Sequence, residues 1–213
     1  KFILSILIIF VFILMTLSEA ECLISAMVDK ITGAPIVKRD NKNILLTKFM
    51  DINENEEVEA GPGDMIVLKF TTGELIVIFQ NSRVKISAEN IDKKRNLKVF
   101  QDKGLLWLQI PKIEMTEKLK IITPTATIGV RGTAFSSFIK TQEESEFCVC
   151  IGEIEIETKD LKVNAKKGEI TSAMSNGKIK EPSYDMSVLQ QPPKNKMECL
   201  TCHQGGFSRD NIY

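Results

Sequence analysis

Near the C-terminal end of this 213-residue chain, Cys199-Leu200-Thr201-Cys202-His203 sets two thiols three positions apart with an imidazole directly after them. This Cys-x-x-Cys-His spacing suits covalent attachment of haem c. The two thiols add to the vinyl groups as thioethers, and the adjacent histidine becomes the proximal iron ligand. His203 is the single histidine of the chain, which makes its position behind a cysteine pair informative. Three other chemistries use such a pair. A zinc site wants four ligands, and no second cysteine pair or histidine of suitable spacing follows. A thioredoxin-like dithiol normally opens a helix after a strand, a context missing here. A plain local disulfide remains the alternative. Without a second histidine, a sixth iron ligand would be methionine, lysine or water, with Met186 and Met197 nearest in sequence. The tail around the motif is polar apart from Leu200 and Phe207, so a haem there would be exposed unless it docked against the rest of the chain.

The other three cysteines are Cys22, Cys148 and Cys150. Cys148-Val149-Cys150 lies in a run that reads as a strand, which points both sulfurs to one face. Cα atoms two apart on a regular strand are about 7 Å apart, near the upper limit for a disulfide. The pair therefore reads as two small buried hydrophobes, with at most one disulfide among the three if Cys199 and Cys202 are committed elsewhere.

What positions these groups begins with compartment. Lys1 precedes the nearly all-apolar Phe2–Leu17, and Ser18-Glu19-Ala20 has the small-x-Ala form of a signal-peptidase site, so cleavage is expected after Ala20. An uncleaved anchor is the alternative, giving membrane association through this segment. Glu21 before Cys22 argues against lipid attachment. Removing the leader takes away one charge of each sign, and the mature chain stays neutral. A neutral chain has no field to draw in nucleic acid and no polybasic run for lipid headgroups. Export places the cysteines where they can be oxidised or receive haem.

At 43% apolar content, the chain can bury a real core. From Ile24 the pattern is short alternating apolar runs bounded by glycine, asparagine and charge, which predicts β structure and few helices. Strands are expected at 44–49, 65–70, 75–79, 84–88, 97–100, 105–110, 119–122, 134–139, 146–151, 153–158, 161–165 and 169–173. Gly63, Gly73, Gly104, Gly152 and Gly168 each launch a run. Trp107 alternates with Leu105 and Gln109 and is expected in the core. Asp51–Glu57 has oxygen ligands at alternate positions, but Glu56 stands where a calcium loop needs glycine and Pro62 where it needs glutamate. It reads as a solvated acidic loop. The segment 89–96 reads as a charged connector, and 141–145 as a hairpin tip. The expected organisation is a leader at 1–20, a β domain at 24–173, a linker at 174–196 with Gly177, Pro182, Pro192 and Pro193, and the cysteine-bearing tail at 197–213.

The most distinctive stretch is Ile121–Phe135. Thr123-Pro124 reads as a strand end, because proline fixes its own φ and biases its predecessor to the extended region. Gly129 and Gly132 bracket Val130 and Arg131, and Thr133 leads into the next strand. Glycines so placed suggest positive φ, a bulge or a close approach. Arg131 reads as structural, a planar fork that satisfies carbonyls or a carboxylate and locks the turn. The segment resembles the signature of the FecR domain family, with Thr123-Pro124, Gly129-Val130-Arg131-Gly132-Thr133 and Phe135 in place, and the likeness spreads from about Ile31 to Ala173. The resemblance implies an all-β fold, a twisted sandwich or a β-roll or solenoid-like stack of short strands. It also implies a non-catalytic extracytoplasmic module with a protein partner in the bacterial envelope. Members that regulate transcription carry a sigma-factor-binding region ahead of a membrane segment, and that activity is not expected here. The residues agree on catalysis, since no nucleophile, base and orienting group stand out together. The alternative is a small c-type cytochrome whose β domain docks a redox tail to its partner, or a structural envelope protein whose cysteine pair is a disulfide.

Overall fold

The computed structural model describes residues 26–91, 94–112 and 118–184. Every regular element among them is a strand, as a two-residue apolar alternation requires. In chain order these are β1 (Ala26–Thr32), β2 (Ile36–Arg39), β3 (Lys42–Leu45), β4 (Asp51–Ile52), β5 (Glu57–Ala60), β6 (Met65–Lys69), β7 (Leu75–Ile78), β8 (Ser82–Ile91) and β9 (Lys94–Gln109). Then come β10 (Lys118–Ile122), β11 (Thr127–Val130), β12 (Ala134–Thr141), β13 (Glu144–Ile151), β14 (Glu153–Glu157), β15 (Lys162–Lys166), β16 (Glu169–Met174) and β17 (Ser183–Tyr184).

The strands form two sheets that share β9. Sheet A runs β4-β1-β6-β7-β9-β12-β13-β16-β17. Sheet B runs β3-β2-β5-β8-β9-β10-β11-β14-β15. All pairings are antiparallel except β9 with β10. The fold is all-β, as the alternation indicates.

One core lies between the sheets. Sheet A contributes Ile66, Leu68, Ile76, Ile78, Leu106, Leu108, Phe135, Phe147 and Val149, and sheet B contributes Val58, Val84, Ile86, Val99, Ile121, Ile128, Ile154 and Ile156. Each is at or near zero exposure, so this burial is the main stabilising term of the fold.

β9 explains how one strand serves both sheets. Its first half buries the odd positions Leu97, Val99 and Gln101, and its second half buries the even positions Leu106 and Leu108 in the same core. The phase changes across Asp102–Gly104, where Gly104 takes φ +85. Gln101 ties the crossing. Its Nε2 donates to the Gly104 carbonyl at 2.9 Å and the Ser137 carbonyl at 3.0 Å, and the Ser137 hydroxyl donates to its Oε1 at 2.6 Å. The two runs 97–100 and 105–110 are therefore one bent strand.

Other expectations change as well. The segment 89–96 is the end of a hairpin, with Glu89 opposite Asn96, Asn90 opposite Arg95 and Ile91 opposite Lys94. The strand expected at 44–49 stops at Leu45, and Phe49 takes φ +68 and is 63% exposed. Trp107 is buried, yet it points away from the main core into a second cluster on the outer face of sheet A. Past Ala173 the chain stays on the body as far as Tyr184. Ala173 bridges to Ile179, Ile179 packs against the core, and the Thr171 hydroxyl donates to the Lys180 carbonyl. The segments 1–20 and 197–213 lie outside the described residues.

Candidate functional site

The Ile121–Phe135 segment forms a hairpin, β10 and β11, followed by a tight passage into β12. Thr123 closes the hairpin. Its backbone N–H donates to the Ala126 carbonyl at 2.9 Å, and its Oγ1 accepts from the Ala126 N–H at 3.0 Å. Pro124 sits at the second position of this turn, where its fixed φ is suited. Gly129 does not need to be glycine for its backbone: it sits within β11, and a Cβ there would meet Glu155 Oε1 at an ordinary 3.6 Å. Gly132 does, with φ +64.

Thr133 fastens the passage. Its buried hydroxyl lies 2.8 Å from the Glu153 carbonyl and 3.1 Å from the Arg131 carbonyl, and its own carbonyl accepts from the Ile110 N–H at 2.8 Å. Arg131 contrasts with its expected role. Its side chain is exposed, and its guanidinium makes no hydrogen bond or ion pair among the described residues. The Thr133 hydroxyl and carbonyl lock the turn instead. The neighbouring turn at Gly152 packs so closely that a Cβ there would lie 2.8 Å from the Gly132 carbonyl. Beside Gly152, Ile151 is 60% exposed. The signature thus leaves a free cation and an uncovered aliphatic side chain on adjacent turns at one end of the sandwich.

Replacing Gly132 with valine is expected to cost about 1–3 kcal/mol, because a β-branched residue is strained at positive φ. The added Cβ would lie 2.4 Å from Lys112 Cγ, an atom of a flexible side chain that can move aside. Lys140→Ala, which breaks half-exposed pairs to Glu144 and Glu146, should cost about 0.2–1 kcal/mol. Urea unfolding followed through Trp107 would compare them, and equal midpoints would remove this account of the turn.

The acidic segment 51–57 is only partly solvated. Glu56 is buried and paired with Arg39, whose Nη2 donates to Glu56 Oε2 at 3.0 Å and to the Asp51 carbonyl at 2.9 Å. The Asn53 N–H donates to Glu56 Oε2 at 2.8 Å. These donors fill the carboxylate and close the loop. Among the described residues, no cluster of three or more histidine, cysteine, aspartate or glutamate side chains could hold a metal. Burial pushes the Glu56 carboxyl up, and the hydrogen bonds from Arg39 and Asn53 outweigh it, leaving it below its ordinary value of 4.5. Its stabilising effect is thus complete above 4.5 and lost as pH falls through the lower folded value. Arg39→Ala is expected to cost about 1–3 kcal/mol at pH 7, because the buried Glu56 carboxylate loses its cation and keeps only the Asn53 donors. The gap from the unsubstituted protein should narrow by pH 3, and a gap that stayed constant in acid would refute the pairing.

Cys148 and Cys150 are buried, as expected, but both are disulfide-bonded, which corrects their reading as two small hydrophobes. Regular strand spacing misled here. Phe135 pairs with Val149 and Ala134 with Ile151, so Cys150 is the extra residue of a β-bulge and the ideal spacing does not apply. Cys22, Cys199, Cys202 and His203 lie outside the described residues. Also among the described residues, no helix is long and apolar enough to cross a membrane.

Comparison with known proteins places these features. Residues 56–155 match the family model described as FecR protein, a span that contains the Thr123–Phe135 signature. Two crystal structures of candidate anti-sigma factors from Parabacteroides distasonis resemble the chain at 15% identity. One, at 1.65 Å resolution, has a TM-score of 0.50 and covers 70% of this chain and 74% of its own. The other, at 2.50 Å, has a TM-score of 0.49 and covers 64% of each. The chain thus spans about two thirds to three quarters of these neighbours. No curated protein matches.

Proposed function

We propose, taking the FecR match over residues 56–155 as the premise, that this chain is a non-catalytic, extracytoplasmic binding and signalling module with a covalent haem site at its C-terminus. The family match on an all-β body carries the reading. The signalling half draws support from a structural neighbour described as a candidate anti-sigma factor. Its partner is a protein of the bacterial cell envelope, reached after export through the apolar N-terminal segment. Arg131 and Ile151 at the signature end are exposed contact residues for it. Cys199 and Cys202 would hold the haem through thioethers, and His203 would ligate its iron. The haem would supply redox or ligand-sensing chemistry to the β body.

The test is the visible spectrum and intact mass of protein exported from a host competent in haem attachment. The expected result is a covalent Soret chromophore with the mass increment of one haem. Cys199→Ser with Cys202→Ser should abolish it, and His203→Ala should weaken iron ligation. An unmodified mass without a Soret band would sink the haem reading and leave the disulfide as the account of the motif. The electron-transfer alternative rests on the same motif. A midpoint potential matched to a partner that the protein reduces would favour it over signalling.

A further inference from the structure

One end of sheet A gathers successive chain passages side by side. The register sets Gln109, Ala134 and Ile151 opposite one another on β9, β12 and β13, and Glu169 opposite Tyr184 on β16 and β17. The Gly168 N–H donates to the Val149 carbonyl at 2.8 Å and the Lys167 N–H to the Gly152 carbonyl at 2.9 Å, which joins the two halves of the row. Close approaches fix its ends: a Cβ on Gly132 would lie 3.4 Å from the Lys112 Cα, and one on Gly168 would lie 2.4 Å from Tyr184 Cε1. Lys112, Arg131, Ile151, Lys167 and Tyr184 therefore stand in that order along this end, and all of them are exposed. Lys112, Arg131 and Lys167 make no ion pair among the described residues, whereas Arg39, Arg83, Lys103, Lys140 and Lys162 each hold a carboxylate. The nearby acids are mostly occupied. The Glu169 carboxylate accepts the Lys166 N–H at 2.7 Å, and Glu74 on the adjoining turn is buried beside the Thr72 hydroxyl. Glu153, next to Gly152, is exposed.

We propose that this row docks an extended acidic segment of a partner protein, a step that rests on the envelope-partner reading above and gives the partner its chemistry. Neighbouring strands stand about 4.8 Å apart, so the row from β9 to β17 spans about 19 Å, or roughly six extended residues. Arg131 and Lys167 flank Ile151 with about 10 Å between their backbones, which suits two carboxylates about three positions apart with an apolar side chain between them. Ile151 at 60% and Tyr184 at 69% exposure supply the apolar part of the contact, and arginine and tyrosine are the residue types that protein interfaces favour. Glu153 sets the class of partner. An anionic membrane would meet its charge and find only Ile151 and Tyr184 to take up, whereas a peptide can place an amide or a base against it.

The probe is a fluorescein-labelled peptide of about six residues with two aspartates about three positions apart and leucine between them. Fluorescence anisotropy would follow its binding to the full chain made without haem attachment, which separates this test from the haem reading. The expected result is binding that added salt abolishes. Arg131→Glu with Lys167→Glu should weaken it about tenfold or more. Ile151→Ser should weaken it several-fold and leave its salt dependence unchanged. Lys42→Glu with Lys178→Glu, an equal change of charge at exposed positions elsewhere, should leave binding as it was. Equal urea midpoints, read through Trp107, would confirm that each variant stays folded. The proposal is overturned if the unsubstituted chain does not bind the peptide, or if both charge-reversal pairs weaken binding alike. Binding to phosphatidylglycerol vesicles in place of the peptide also overturns it. An envelope protein that co-purifies equally with the unsubstituted chain and with the Arg131→Glu, Lys167→Glu variant would overturn this site while leaving the envelope-partner reading intact.

Discussion

Gly104→Ala is expected to be among the most destabilising single-methyl changes in the chain, at about 2–5 kcal/mol. Two effects add. The left-handed φ of +85 is costly for any residue with a Cβ, and that Cβ would lie 2.5 Å from the Ser82 Cα and 2.1 Å from its Oγ. A backbone atom cannot step aside as a lysine stem can. The Ser82 hydroxyl also accepts the Leu105 N–H at 2.9 Å, so displacing it unpairs the strand at its bend. Gly63→Ala is the control, with φ +81 and no atom within 4 Å of the new Cβ. It should cost the backbone strain alone, about 1–2 kcal/mol. Chemical denaturation would decide, and equal losses for the two variants would show that the bend tolerates displacement.

Phe135→Ala should cost about 3–5 kcal/mol, the range for truncating a fully buried aromatic ring. Phe135 is the last residue of the FecR-like signature, has no exposed surface, and lies opposite Leu108 of β9 and Val149 of β13. Its neighbours are held by ladders on both sides, so the cavity cannot collapse cheaply. Phe138→Ala, on the half-buried outer face of the same strand, should cost clearly less. A comparable loss from both would mean that the inner and outer faces are equally packed. The second result would also bear on the phenylalanine of the signature, which this structure assigns to the core and not to a contact surface.

Alternation along the chain revealed the strands with one or two strongly apolar faces, such as 65–70, 75–79 and 134–139. Short strands with only one or two apolar residues, such as β2 and β5, escaped notice because so brief a run shows no alternation by itself. Face assignment is undetermined where both faces are apolar. All four residues of β7 are buried, and Trp107, expected in the core and buried as expected, gave no sign of which of the two clusters it joins. The charged hairpin end at 89–96 looked like a connector since its sequence carries no apolar alternation. At the candidate site, Thr123, Pro124 and Gly132 were legible from conformational demand, and Thr133 only from the FecR-like signature. The exposure of Arg131 and the oxidation of Cys148 and Cys150 were not, as they depend on neighbours and on a bulge that no local pattern reports.

Because β9 is hydrogen-bonded into both sheets, neither layer can be peeled off while the other persists. A sandwich with separate sheets can come apart layer by layer, whereas this one has a common rivet through both. Amide hydrogen exchange at Val99, in the sheet B half, and at Leu106, in the sheet A half, should therefore proceed at closely similar free energies of opening. A partner tugging on either sheet would load the whole body, so the molecule transmits strain as one piece rather than yielding at the nearer layer.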